Sequence, residues 1–142
     1  MLSGIITKLA SNPKQLFLLD SMGGLTSAVV PLLILGIFDS HFRLARELLI
    51  AMSLTGFVFG SYSFLCALKI QSRWMFFLKI LVLANSTYLF SIMAYTAVYF
   101  SSLSQLGLAY LLIDHLVLIS VIALELAVIA AISGVWIPGS RS

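Results

Sequence analysis

The sequence predicts an all-α integral membrane four-helix bundle, up-down-up-down, preceded by a short N-terminal interfacial helix. Three observations carry that expectation. Hydrophobic residues make up 61% of the 142 positions and charged residues 9%, and the mean hydropathy is +1.13, values foreign to a water-soluble domain. The apolar residues fall in four runs, each long enough to cross a hydrocarbon core of about 30 Å. Only short turns separate the runs, so consecutive helices become antiparallel neighbours. A single transmembrane domain over residues 1–142 follows, with the lipid bilayer as its first partner.

Residues 1–11 place Leu2, Ile5, Ile6 and Leu9 at helical spacing beside Lys8, the pattern of an amphipathic helix lying at a membrane surface. Asn12 is then the expected N-cap and Pro13 the first helical residue, where a missing N–H costs nothing. Span 1 is expected at 16–38. It is too long for the apolar part of a cleaved signal peptide and lacks a clear cleavage site. Asp20, Gly24, Ser27 and Pro31 follow at offsets of four, seven and eleven, so they share one helix face. Small residues on that face admit a neighbouring helix, which turns the face, and Asp20 with it, inward.

The stretch from Asp39 to Glu47, with His41, Arg43 and Arg46, reads as a solvated turn in which Arg43 and Glu47 are spaced for an ion pair. Span 2 is expected at 48–68. Ser53, Gly56, Gly60, Ser63 and Ala67 form a stripe of small residues along it, and Gly56 with Gly60 has the GxxxG spacing of close helix packing. Lys69, Gln71, Arg73 and Trp74 make a basic turn into span 3, expected at 74–100. Asn85 and Tyr88 are neighbours on that helix, whereas Lys79 lies about 120° around from Asn85 and close enough to the turn to snorkel to the headgroups. Ser102 or Ser104 is placed to cap span 4, expected at 105–136, and Gly134, Trp136, Pro138 and Gly139 close it at an interface.

Span 4 carries the strongest chemical signal. Asp114 and Glu125 interrupt an otherwise apolar run, and a carboxylate facing hydrocarbon costs at least about 2.5–3.5 kcal/mol, so the bundle has to shelter both. Eleven helical steps separate them and return to nearly the same azimuth, about 16 Å apart along the axis.

The eight basic residues set orientation. Lys8, Lys14, Lys69, Arg73 and Arg141, with Lys79 just inside, fall on one side of four spans, and only Arg43 and Arg46 on the other. The positive-inside rule then puts both termini in the cytoplasm of a cell inner (plasma) membrane. In that frame Asp20, Tyr62, Lys79 and Glu125 arrive from four helices in one leaflet, and Asp114 stands in the other with Tyr110 one turn away. If Asp20 and Glu125 form one site, spans 1 and 4 are neighbours and the two carboxyls lie within about 10 Å, with Tyr62 or Lys79 between them.

In hydrocarbon a carboxyl group stays protonated unless a cation or several donors hold it ionised. The expected intramembrane polar site is therefore Asp20, Tyr62, Asn85, Tyr88, Asp114 and Glu125, with Lys79 as a possible counter-charge; Gly24, Ser27, Gly56, Gly60 and Ser63 are assigned to helix packing. The opposing reading makes these polar groups structural glue. Other chemistries lack residues. His41 and His115 do not have the offsets of a metal set or suitable depths for a haem, no nucleophile or phosphate-binding motif is present, and no cofactor is implied. A net charge of +3, thinly scattered, gives no nucleic-acid footprint. The lone Cys66 excludes an internal disulfide.

The stretches Asn12-Pro13-Lys14 with Leu16 to Asp20, Ser61-Tyr62-Ser63, Leu83-Ala84-Asn85 with Tyr88, and Gly107 to Tyr110 with Glu125 resemble an uncharacterised family of small four-span bacterial integral membrane proteins. In that group the position of Asp114 is usually Glu, which keeps the carboxyl. The resemblance implies architecture and no activity. The leading functional expectation is an ion- or proton-coupled transporter component, homo-oligomeric or joined to a partner membrane subunit. The alternative is a non-catalytic accessory or assembly subunit that binds partner helices through its small-residue stripes. A membrane-embedded lipid or quinone enzyme stands third.

Overall fold

The computed structural model describes residues 2–38, 44–69 and 72–134. The expectations for Asp39, His41, Arg43, Gln71, Trp136, Pro138, Gly139 and Arg141 lie outside those residues. The fold is an all-α four-helix bundle. Helix α1 (Leu2–Ser11) leads into α2 (Pro13–Leu33), whose last turn widens into a π-helical segment (Ile34–Phe38). Three more long helices follow, α3 (Arg46–Lys69), α4 (Trp74–Tyr99) and α5 (Gln105–Ile132). Four stretches, Pro13–Ile37, Arg46–Lys69, Trp74–Ser102 and Gln105–Ile132, are long and apolar enough to cross a membrane, as a multi-pass protein requires.

Helix boundaries follow local chemistry. Pro13 stands at the start of α2, but the Asn12 side chain makes no cap; the Asn12 backbone carbonyl accepts from the Gln15 N–H at 3.0 Å instead. Pro31 lies inside α2 and removes one rung of its hydrogen-bond ladder, and the wider π turn follows directly, so span 1 does not end as a plain α-helix. Ser104 caps α5 by accepting from the Gly107 N–H at 3.0 Å. The far end of α5 comes at Ile132, four residues short of expectation, where Gly134 takes a left-handed φ of 70° that stops the helix.

Packing is uneven. Helices α2 and α3 lie in backbone contact because Gly24, Gly56 and Gly60 have no side chains. A Cβ on Gly56 would stand 2.7 Å from the Ala28 nitrogen, and one on Gly24 2.7 Å from the Gly60 Cα. The stripe Ser53, Gly56, Gly60, Ser63 and Ala67 is buried along this seam, so α2 already occupies the surface that a partner helix would have needed. Ser53 adds a hydroxyl donated to the Ala28 carbonyl at 2.5 Å. Helices α4 and α5 form the second pair, and α1 packs on α5.

Two apolar clusters close the bundle at its ends. Leu9, Leu16, Phe17, Cys66, Ala67, Leu78, Leu81 and Val128 gather all five helices at one end, with Leu9 tying α1 to the bundle. Ile34, Leu44, Leu49, Met52, Ile92 and Leu111 fill the other. Outward faces remain apolar, as in Leu83 and Phe90, each 69% exposed, which suits hydrocarbon rather than water.

Because the seam has no room for a methyl group, Gly56→Ala is expected to destabilise the purified protein by about 1–3 kcal/mol. Gly23→Ala, one residue from the seam but in open space, should be neutral or up to about 1 kcal/mol stabilising. Thermal unfolding in detergent measures both, and equal shifts would rule out the backbone contact.

Candidate functional site

Between the two apolar ends lies a polar layer built by four helices. Asp20 of α2, Ser63 of α3, Asn85 of α4 and Glu125 of α5 are all buried, Ser63 and Glu125 completely. The glycine seam makes the first contact possible, since it brings α3 close enough for the Ser63 hydroxyl to donate to Asp20 Oδ2 at 2.5 Å. Asn85 Nδ2 approaches Asp20 Oδ1 at 3.4 Å from the opposite pair of helices. Asp20 thus joins the two halves of the bundle. Glu125 adjoins Asp20 and Asn85 closely enough to interact with both, yet neither of its oxygens has a partner with hydrogen-bond geometry. No Lys or Arg among the described residues acts on either carboxyl.

A second polar group stands one to three turns along the same interior. Tyr88 of α4 neighbours Tyr110 and Asp114 of α5, and Asp114 in turn neighbours His115. The Tyr88 hydroxyl and Asp114 Oδ2 are buried without hydrogen-bond partners. His115 is buried but satisfied locally, its Nδ1 meeting the Leu111 carbonyl one turn back. Between the two groups is a cavity of about 40 Å³ lined by Asp20, Gly24, Ser27, Thr55, Asn85 and Tyr88 among others. One or two water molecules have room there beside the polar groups, although Phe59, Val117, Leu118 and Val121 make much of the wall apolar. Together the groups form an interior column from Asp20 and Glu125, past Asn85 and the cavity, to Tyr88, Tyr110 and Asp114.

Two residues expected in this site are elsewhere. The Tyr62 hydroxyl donates to the Phe77 backbone carbonyl at 3.2 Å and adjoins Cys66, so its polar end is spent on the α3–α4 contact. Lys79 is exposed on the outer face of α4, where its ammonium is free to seek the headgroups and supplies no counter-charge to the carboxyls. Ser63 moves the other way. Its small size marked it as a packing residue, and only its register opposite Asp20 reveals the donor. Spans 1 and 4 meet through the Asp20 and Glu125 side chains rather than by close backbone packing.

Comparison of the chain with family models, with curated proteins and with solved structures gives no match. The chemistry therefore rests on the layer itself. No group of three or more His, Cys, Asp or Glu side chains able to hold a metal occurs among the described residues. What is present is a pair of adjoining carboxyls with one hydroxyl and one amide, continuous with a cavity of water size.

Ser63→Ala removes a donor from a buried carboxyl and is expected to cost about 1–3 kcal/mol, whereas Tyr62→Phe, which loses a neutral bond to backbone, should cost about 0.5–1.5 kcal/mol. Detergent-based unfolding of the two variants side by side checks the ranking. A Ser63→Ala protein as stable as wild type would separate Ser63 from Asp20.

Proposed function

We propose that this chain is a proton-coupled transporter component of a cell inner membrane, in which Asp20 and Glu125 hold an exchangeable proton. The observation that carries the reading is Glu125, wholly buried against Asp20 and Asn85, with both carboxyl oxygens short of good hydrogen-bond geometry. Two adjoining carboxyl groups away from water cannot both bear a charge, so they share a proton. A purely structural carboxyl would be expected to spend its oxygens on donors, as Asp20 does with Ser63 and Asn85.

The rest of the column supplies a route. Asn85 and Tyr88 both line the water-sized cavity, and Tyr88 adjoins Asp114, so water taken up there would bridge the Asp20 layer toward Asp114. Those groups are about 16 Å apart by helical rise, roughly half the thickness of the hydrocarbon. A cavity of about 40 Å³ has room for water and not for a solute. A solute path is completed by a second copy of the chain or a partner membrane subunit. The bias of basic residues places both termini in the cytoplasm, and the Asp20–Glu125 layer nearer that side.

Two measurements test this. Glu125→Gln keeps the shape of the side chain but carries no titratable proton, so reconstituted vesicles are expected to lose proton exchange while the protein remains folded; full retention would remove Glu125 from the mechanism. Orientation is read by cysteine substitution. Ser102→Cys should react with an impermeant thiol reagent outside intact cells and Ser72→Cys should not, both positions being exposed at opposite ends of α4. The reverse pattern inverts the topology.

A further inference from the structure

One end of the bundle is cationic. Lys8 adjoins Leu9, Lys14 precedes Leu16 by two residues, Lys69 follows Ala67 by two, and Arg73 adjoins Trp74. Leu9, Leu16 and Ala67 are buried in one apolar cluster and Trp74 packs against it, so the helix ends that carry the four cations are gathered together. All four side chains are exposed. The described acidic residues are elsewhere: Asp20, Asp114 and Glu125 belong to the interior column, and Glu47 stands beside Arg46 at the far end of α3. No described side chain of this chain therefore neutralises the four.

Whatever does so meets apolar surface as well. Leu68 and Phe76, 58% and 61% exposed, flank Lys69 and Arg73 on helices long and apolar enough to cross a membrane, and Ile5 is exposed on α1 near Lys8. A free anion would satisfy the charges alone. A zwitterionic lipid would bring a positive group together with its phosphate, whereas a lipid with a net negative headgroup matches both the cations and the apolar flank. We propose that the end formed by Lys8, Lys14, Lys69 and Arg73 selects anionic glycerophospholipids, with the headgroup phosphate against the cations and the acyl chains along Leu68 and Phe76. Each Lys or Arg near an anionic membrane surface adds about fivefold to affinity. Proton exchange plays no part in this selection.

Trp74 can report the contact from beside Arg73. With Trp136→Phe it is the sole tryptophan of the chain, and bromine carried on an acyl chain quenches its fluorescence on contact. The full chain is reconstituted in vesicles of phosphatidylglycerol mixed with phosphatidylcholine, and each lipid is brominated in turn. Phosphatidylglycerol is expected to be preferred about 5- to 25-fold, as one to two contacting charges would give, and about 1 M NaCl should reduce the preference. Lys69→Gln with Arg73→Gln should lower it about fivefold or more, and adding Lys8→Gln and Lys14→Gln should bring the two lipids to near equality. Arg46→Gln, at the other end, should leave it unchanged.

Arg73→Gly guards against a variant that merely unfolds. Arg73 has a left-handed φ of 58°, which glycine adopts freely, so this change removes the charge without straining the turn. It should lower the preference with no loss of thermal stability in neutral detergent. Equal quenching by both lipids before any charge is removed overturns the proposal, and so does a preference that survives the fourfold substitution or Arg73→Gly. An equal loss in Arg46→Gln overturns it too, since charge anywhere on the chain would then suffice. Displacement of brominated phosphatidylglycerol by millimolar inorganic phosphate, or by polyglutamate at physiological salt, would give the surface to a free anion or an acidic protein segment instead.

Discussion

The backbone contact between α2 and α3 at Gly24, Gly56 and Gly60 is the constraint from which the rest of the bundle follows. Hydrocarbon offers no hydrophobic gain for bringing two apolar helices together, so association in a bilayer rests on close packing and on polar bonds between helices. The glycines provide the first and thereby permit the second. Ser53 reaches the Ala28 carbonyl and Ser63 reaches Asp20 only because no side chain holds the two helices apart. One larger residue in the seam would cost both bonds as well as the packing.

Asp20 then carries the constraint across the bundle. The α2–α3 pair is tight and α4 packs on α5, while α3 and α4 leave a groove. Few interactions hold the two pairs in register, and the polar layer is one that involves every long helix. Its Asn85 bond is long at 3.4 Å, and Glu125 approaches Asp20 and Asn85 without good hydrogen-bond geometry. Strength is therefore unequally divided. The layer is firmly fixed on the α2–α3 side and loosely on the α4–α5 side, which leaves Glu125, rather than Asp20, as the carboxyl with unused capacity.

Much of the architecture is legible in the sequence because the bilayer imposes it. Length and hydropathy set the four spans, and the spacing of Asp20, Gly24, Ser27 and Pro31 gives the inward face of α2. The meeting of Asp20, Asn85 and Glu125 was also within reach, since three polar residues on apolar helices have to be sheltered somewhere. Side-chain partners were harder. Tyr62 has an amphipathic ring whose hydroxyl can satisfy itself on any backbone carbonyl nearby, and it finds Phe77. Lys79 has a long apolar stem that lets its charge leave the hydrocarbon from almost any azimuth. Ser63 hid its donor because serine is both a small packing residue and a polar one, and the register of α3 against α2 decides which. The groove between α3 and α4 had no signal, since a gap depends on how two apolar surfaces fail to match.

The two apolar clusters determine how anything reaches the polar layer. Leu16, Phe17, Leu78, Leu81 and Val128 close one end, and Leu49, Met52, Ile92 and Leu111 the other; the largest exposure among them is 5%. Among the described residues, side chains packed to this degree oppose the passage of a hydrated ion, whose shell would have to be stripped at a cost of several kcal/mol or more. In the proposed reading a proton avoids that cost by moving between oxygen atoms, with the Tyr88, Tyr110 and Asp114 group beyond the cavity as its successive positions. Buried apolar ends thus fit the proposed proton route better than the passage of a hydrated ion.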